Sequence, residues 1–175
     1  MNLKDVFAIV NRMEADGVIE RYALGGAVAA TFYLEPVATV DVDFFVAYRA
    51  EPGSLLVSSK PIFDYLTARG HTVKGEYLVI AGWPVQFLPP TGPLVEEALA
   101  EAREADIEGV LVRVLSAEHL AAIALETGRP KDLARLVQFV DSGILDEQRL
   151  TVILRRHGLL ERWRGFHQRS FGDLP

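Results

Sequence analysis

The chain has 175 residues, and half of them are hydrophobic, which suits one domain with a real core and excludes a disordered chain. It contains no cysteine, so disulfide frameworks and thiolate metal sites are excluded. The formal net charge of −6 argues against a general nucleic-acid binder, and without a basic leader or a membrane-length apolar run we expect a cytoplasmic protein.

The N-terminal residues predict a helix and then a strand. The helix covers residues 3–16, with Asn2 as its N-cap and Gly17 as its end. The strand covers residues 18–24 and leads directly into the glycine pair Gly25-Gly26. Because glycine at a strand-to-helix junction lets backbone amides approach an anion closely, this junction is a candidate phosphate cradle.

A second strand follows shortly afterwards and carries two carboxylates. An apolar helical stretch, residues 27–34, and a turn around Glu35-Pro36 precede this strand, which covers residues 40–46. Alternation divides its residues between two faces, with Val40, Val42 and Phe44 on one and Asp41, Asp43 and Phe45 on the other. The two aspartates therefore point the same way, about 6–7 Å apart along the strand.

The aspartate pair has two interpretations. With carboxylates about 5 Å apart and an effective dielectric constant of about 20, the pair repels by roughly 3 kcal/mol, which a divalent cation would neutralise. The same pattern is also an ordinary solvated face of an amphipathic strand. The upstream glycine pair favours the first interpretation, because a phosphate cradle beside a metal site suits chemistry on a nucleoside triphosphate.

The middle of the chain predicts, in order, a loop, a helix, a hairpin, an acidic helix and a strand. Their bounds are residues 51–54, 60–69, 77–88, 93–105 and 110–115. In the hairpin, Gly82-Trp83 supplies the turn, so Val79 is expected to face Gln86. The acidic helix is expected to turn four glutamates outward: Glu96, Glu97, Glu101 and Glu104.

The remaining residues predict only helices. Ser116 caps a helix that ends at Thr127 and is terminated by Gly128. Three further helices cover residues 131–140, 146–156 and 159–170. We therefore divide the chain into an α/β core, residues 1–115, and a C-terminal helical region, residues 116–175, packed on that core.

The sequence gives little indication of a histidine metal site, a serine nucleophile or a P-loop. The four histidines, His71, His119, His157 and His167, show no metal-ligand spacing on a shared helix face, so we expect them to be structural or solvated. There is no Gly-x-Ser-x-Gly elbow and no Gly-x-x-x-x-Gly-Lys loop.

The ordered motifs resemble the signature of the nucleotidyltransferase fold, the polymerase-β-like superfamily. In that signature a Gly-Gly or Gly-Ser pair precedes an Asp-x-Asp strand, as Gly25-Gly26 precedes Asp41-Val42-Asp43 here. The later segments Ser116-Ala117-Glu118-His119-Leu120 and Arg129-Pro130-Lys131-Asp132 add to the resemblance. Within the superfamily, the chain is most similar to the small bacterial AbiE-type nucleotidyltransferases, over most of residues 20–140.

This resemblance implies an α/β (α+β) fold in which helices flank a mixed sheet, with a C-terminal helical extension. It also implies a nucleoside triphosphate as substrate, with Asp41 and Asp43 as catalytic residues that hold Mg²⁺ or Mn²⁺. The implied substrate-binding residues are Gly25, Gly26, Thr39, Gln86 and Lys131. Lys131 would reach over the cleft toward the triphosphate, and Asp132 would turn inward to fix its helix against the core.

Three positions depart from the family pattern. Active relatives carry a third acidic residue on a neighbouring strand where this chain has Gln86, whose amide cannot act as a base near neutral pH. Glu76 is the nearest substitute in sequence, but the hairpin parity puts it on the opposite face. Arg135 stands where relatives often have an acidic residue, and Gly26 stands where many active members have serine.

Three functions stay open. The first is a nucleotidyltransferase that transfers a nucleoside monophosphate from a triphosphate to an acceptor hydroxyl. The second is a catalytically weakened member that binds nucleotide. The third is a protein-interaction module such as one component of a toxin–antitoxin pair, with the C-terminal helices around Trp163 and Phe166 as the surface for a partner protein or a homodimer.

Overall fold

A computed structural model of the chain describes residues 2–35, 39, 41–48 and 58–172. Within these residues the strands are β1 Ile19–Leu24, β2 Val42–Tyr48, β3 Thr72–Lys74, β4 Tyr77–Ile80, β5 Trp83–Leu88, β6 Arg103–Ile107 and β7 Val110–Val114. The helices are α1 Leu3–Ala15, α2 Gly26–Ala30, α3 Lys60–Thr67, α4 Pro93–Ala100, α5 Ala117–Thr127, α6 Pro130–Asp141, α7 Glu147–Arg156 and α8 Leu160–Phe171. The predicted mixed α/β architecture is confirmed.

All of these strands belong to one mixed sheet, in the order β3-β4-β5-β2-β1-β7-β6. The middle strand, β2, pairs antiparallel with β1 and parallel with β5. The two outer parts of the sheet are the antiparallel β3–β4–β5 meander and the β6–β7 hairpin. The aspartate segment therefore lies at the start of a strand that has neighbours on both sides.

The two faces of β2 differ as the alternation predicts. Val42, Phe44 and Val46 are fully buried, and the Phe44 ring packs against the rings of Phe7, Tyr22 and Phe87 at 5.6–6.1 Å between centroids. Burying one such side chain stabilises the fold by about 1.5–3 kcal/mol. This apolar face anchors the strand, so its opposite face is free to carry Asp43 and Phe45.

The helix caps predicted from the sequence are present. The Asn2 side chain accepts a hydrogen bond from the Lys4 amide, and the Ser116 hydroxyl accepts one from the His119 amide. Gly128 follows α5 in the left-handed conformation, with φ of 68°. Ser116 and Gly128 thus set both ends of α5, which packs against α2, α4, α6 and α7.

The hairpin turn lies one residue earlier than predicted. Ile80 pairs with Trp83, so the turn residues are Ala81 and Gly82, and Val79 pairs with Pro84 instead of Gln86. Both turn residues have positive φ, 49° and 84°, as a two-residue turn matched to the strand twist requires. The partner of each β4 residue is therefore two positions earlier on β5 than predicted. Because two positions preserve the alternation, the faces assigned to the side chains are unchanged.

The predicted acidic helix is too long. It ends at Ala100, and residues 103–105 belong to β6, which forms a hairpin with β7. Glu108 and Gly109 make this second tight turn with φ of 51° and 84°. Glu97 was expected to face outward but packs against two histidines, because α5 and α7 cover that side of α4.

Smaller differences concern the stretch around the aspartates. The helix after the glycine pair covers Gly26–Ala30 rather than residues 27–34, and the described part of the second strand begins at Val42. Val40, Pro36 and the predicted loop at residues 51–54 lie outside the described residues. In the part of the chain that the structure describes, no helix is long and apolar enough to cross a membrane.

Candidate functional site

A cleft of about 640 Å³ lies between the aspartate end of β2 and the helices α5 and α6. Its apolar lining includes Phe45, Leu88, Val95, Leu120 and Ile123. Its charged lining includes Asp41, Asp43, Arg129, Lys131 and Arg135. Negative side chains at the aspartate end of β2 therefore line the same cleft as positive side chains at the start of α6, and Glu126 and Asp132 add negative charge on the helical side.

The two aspartates lie in this cleft as the strand parity predicts. Asp43 is the second residue of β2, and Asp41 immediately precedes the strand. Thr39 also lines the cleft, and its hydroxyl lies 3.1 Å from the Asp41 carbonyl oxygen and 3.3 Å from the Asp41 carboxylate. Thr39 thus orients the carboxylate that lies outside the regular strand.

The electrostatics of Asp43 are those of a partly buried carboxylate beside another negative charge. Burial raises the pKa of Asp43 above its usual range, and the negative charge of Asp41 raises it further. Lys131, Arg135 and Arg129 act in the opposite direction, which means that their charges face Asp43 across the cleft. A cation bound between the aspartates would remove the repulsion that raises this pKa.

Gly26 is in direct contact with the Asp43 carboxylate. A Cβ atom at Gly26 would lie 3.0 Å from the Asp43 Cγ and closer still to Oδ2, and Gly26 has φ of 61°. Both the close approach and the left-handed backbone require glycine. A serine at this position, as in many active relatives, would collide with Asp43, so this departure from the family pattern follows from the local packing.

Gly25 was expected to bind substrate, but it does not line the cleft. It is buried outside the cleft, where a Cβ atom would lie 2.5 Å from the Phe45 ring. Its amide already donates a 2.9 Å hydrogen bond to the Asp43 carbonyl oxygen. Of the glycine pair, only Gly26 therefore lines the cleft, while Gly25 ties the strand-to-helix junction to β2.

Helix α6 presents the cations. Lys131 and Arg135 are four residues apart, so they lie on the same face of the helix, and both line the cleft. Asp132 is buried and pairs with Arg129 at 2.6 Å, whereas its distance to the Arg135 guanidinium is 3.9 Å. Asp132 is therefore buried, as expected from the sequence, and its ion pair with the N-cap residue fixes the first turn of α6.

Gln86 is the neighbour of Asp43 on the adjacent strand. These two residues are partners in the parallel β2–β5 pairing. This agrees with the resemblance, which implied that Gln86 stands on a strand next to the aspartates. Gln86 lines a smaller cavity of about 370 Å³, together with Glu76 and Phe87, rather than the cleft itself. The position expected for a third acid is thus adjacent to Asp43 but carries an uncharged amide.

Two residues at the site were not singled out as binding residues by the sequence. Arg135 was noted only as a departure, although its four-residue spacing from Lys131 was a usable signal. Burial raises the pKa of Tyr77, and the charges of Glu76, Asp41 and Asp43 raise it further, so Tyr77 lies within range of the charges of both aspartates. Its proximity depends on the β4–β5 register, which the sequence placed incorrectly.

The comparisons with known proteins bear on the fold. No protein-family model matches the sequence, and a search of curated proteins finds no significant match. Solved structures do match. The crystal structure of ANT(2″)-Ia in complex with adenylyl-2″-tobramycin has a TM-score of 0.54 at 15% identity, covering 93% of this chain and 99% of that one. The chain has a nucleotidyltransferase-like fold.

Two further solved structures agree with this assignment. The solution structure of the antibiotic-resistance factor ANT(2″)-Ia has a TM-score of 0.55 at 15% identity, and the match covers 94% of each chain. An antigenic nucleotidyltransferase-like protein from Paracoccidioides brasiliensis has a TM-score of 0.53 at 18% identity, covering 95% of this chain and 90% of that one. At these identities the likeness establishes the fold, and the chemistry must be argued from the cleft.

Proposed function

We propose that the chain is a metal-dependent nucleotidyltransferase acting on a nucleoside triphosphate and an acceptor hydroxyl. The observation that carries the proposal is the single cleft in which Asp41 and Asp43 face Lys131 and Arg135. An acidic pair suits a divalent cation, and the opposing cations suit the phosphates that such a cation accompanies. The nucleotidyltransferase-like fold is consistent with this chemistry.

In this proposal Asp41 and Asp43 hold Mg²⁺ or Mn²⁺, with Thr39 orienting the Asp41 carboxylate. The metal would supply neutralisation of phosphate charge. The acceptor oxygen forms a bond to the α-phosphorus, the bond from that phosphorus to the bridging oxygen breaks, and pyrophosphate leaves. Lys131 binds the triphosphate, and the hydroxyl proton passes to solvent because Gln86 cannot accept it.

The test is transfer of label from an α-³²P-labelled nucleoside triphosphate, with pyrophosphate release measured in parallel. We expect Mg²⁺-dependent pyrophosphate release that the double variant Asp41→Asn/Asp43→Asn abolishes. Asp64→Asn is the matched control, because Asp64 is exposed, pairs with Lys60 and lies outside the cleft. Equal turnover by the wild type and the double variant would contradict the proposal.

The second candidate is a nucleotide-binding protein with weakened catalysis. It is favoured by one observation, the pairing of Asp43 with Gln86 where an acid is expected. General-base help is worth about 10²–10⁴-fold, so Gln86→Glu should raise the rate of a weak enzyme by an amount in that range. Nucleotide binding with no turnover in either form would support a binding role and contradict transfer.

The closeness to AbiE-type proteins, the acceptor, the toxin–antitoxin role and a partner on the C-terminal helices stay predictions from the sequence. Co-purification of the tagged chain with a small protein expressed from the same operon would test the toxin–antitoxin role. Sedimentation of the purified chain at several concentrations would test the homodimer.

A further inference from the structure

A second group of titratable side chains lies between α4, α5 and α7, outside the cleft. Glu97 is on α4, Glu101 follows the end of α4, and His119 is on α5. Each offers one potential metal-ligand atom, and these atoms all lie within 4.8 Å of one another. The His119 side chain is fully buried, whereas 46% of the Glu101 side chain is exposed, so the group runs from the interior to the surface.

The other polar atoms of these three residues are held by separate partners. The Ser116 hydroxyl lies 3.0 Å from Nδ1 of His119, which leaves Nε2 to point into the group. Oε2 of Glu97 is bonded by Arg156 at 2.7 Å and by His157 at 3.1 Å. Arg149 holds Oε2 of Glu101 at 3.1 Å in the same way. Such outer partners orient the ligands of protein metal sites.

The distance between the central atoms also fits a metal site. Nε2 of His119 lies 3.3 Å from Oε1 of Glu97, a distance that allows a long hydrogen bond when no metal is bound. Two ligands of a tetrahedral zinc ion, with bonds of about 2.0–2.1 Å, are about 3.3 Å apart. The atoms thus have the spacing of neighbouring ligands around an ion.

We propose that Glu97, Glu101 and His119 bind a divalent transition metal, with zinc as the favoured ion. Imidazole and carboxylate groups are ordinary zinc ligands, and three of them leave a fourth position for water. The surrounding side chains Glu97, Glu101 and Glu118 carry three negative charges against two positive charges on Arg149 and Arg156, a net of −1 that a cation would offset. The ion would join α4 to α5.

The test is calorimetric titration of the metal-free chain with ZnCl₂, in the Asp41→Asn/Asp43→Asn background so that the cleft does not contribute. We expect one zinc ion per chain, a higher melting temperature with zinc, and visible absorption bands of tetrahedral Co²⁺ when CoCl₂ replaces it. Replacing a ligand should weaken binding by at least about 100-fold, so His119→Gln and Glu101→Gln should each lose it.

His71→Gln is the matched control, because it removes a histidine outside this group and should leave the affinity unchanged. If His119→Gln fails to fold, Glu101→Gln decides the question, since Glu101 is half-exposed and follows the end of α4. No zinc binding in the background chain, or equal affinity in Glu101→Gln, would overturn the proposal. Because the cleft aspartates are absent throughout, neither result depends on the proposed nucleotidyltransferase activity.

Discussion

The negative charge of Asp43 suits the binding of a cation but lowers the stability of the folded protein. Its pKa is raised by burial and by Asp41, so the ionised form is less stable in the folded protein than in the unfolded chain. This cost is absent below the pKa of the unfolded chain and fully present above the raised pKa of the folded protein. An unfavourable charge kept in a cleft is typical of a functional position.

We therefore expect Asp43→Asn to raise the free energy of unfolding at pH 7 in EDTA. The gain should shrink as the pH falls toward the ordinary range of carboxylates, because Asp43 in the wild type then becomes protonated. Urea denaturation at pH 4 to 8 measures this difference. Asp64→Asn should show no such gain, since Asp64 is exposed and paired with Lys60. A lower stability of Asp43→Asn at pH 7 would refute this account of the charge.

A second prediction concerns Gly26. Gly26→Ala should destabilise the fold by more than the backbone strain of about 1–3 kcal/mol, because the added Cβ also collides with the Asp43 carboxylate. Gly158→Ala isolates the backbone part, since Gly158 has φ of 68° and open space around its Cα. Thermal unfolding of both single variants gives the comparison.

A double-mutant cycle separates the cost of the collision with Asp43 from the cost of backbone strain. Asp43→Ala removes the carboxylate, so Gly26→Ala should then cost no more than Gly158→Ala. If Gly26→Ala costs the same with and without the Asp43 side chain, the contact between them is not what requires glycine.

At the scale of elements, α6 combines a structural role with a binding role in adjacent residues. Asp132 is buried and pairs with Arg129, whereas Lys131 is exposed, and both residues line the cleft. Asp132→Ala should lower the free energy of unfolding by about 1–2 kcal/mol, because it removes the ion pair with Arg129 and the acidic side chain from the first turn of α6. Lys131→Ala should leave the melting temperature unchanged and weaken binding of a non-hydrolysable triphosphate.

Calorimetry of triphosphate binding and thermal unfolding of the same two variants test this division. Lys4→Ala serves as the control for removal of a lysine, because Lys4 lies on α1, outside the cleft. Unchanged triphosphate affinity in Lys131→Ala would remove Lys131 from the site.

Local patterns predicted those elements whose determinants are close in sequence. The period of two placed Asp41 and Asp43 on one face, and Ser116 with Gly128 marked both ends of α5. The Ala- and Glu-rich residues before Ile107 favour helix by propensity, but the Glu108-Gly109 turn commits them to a hairpin. The contact of Glu97 with His119 and His157 depends on tertiary packing, so the sequence placed Glu97 outward.

At the scale of the molecule, α5 follows the predicted boundary near residue 115, and its buried residues belong to the hydrophobic core. Most of α5 is buried, and it lines the cleft opposite β2. A chain of residues 1–115 would therefore expose the sides of α2 and α4 that α5 covers. In contrast, Phe166 is the one buried residue of α8 in the described structure.

We expect residues 1–115 to lack a cooperative unfolding transition and residues 1–158, which omit α8, to retain one. Circular dichroism during heating, with near-ultraviolet signal as the measure of tertiary packing, distinguishes the two. A cooperative transition in the shorter fragment would mean that α5 contributes little to the core, and the predicted boundary would then be a true domain boundary.

Because β2 is the middle strand of the sheet, the side of the cleft that carries the carboxylates can move less than the side that carries the cations. Asp43 is fixed on both sides of its strand, by its pairing with Gln86 of β5 and by the Gly25 amide at the end of β1, so its wall can move only if the sheet opens. The cations belong to a single helix whose start is held by the Asp132 pair. The long side chains of Lys131 and Arg135 can move aside by changing rotamer, admitting a substrate without disturbing the carboxylates. Substrate exchange and precise alignment of the carboxylates would then be assigned to different parts of the chain.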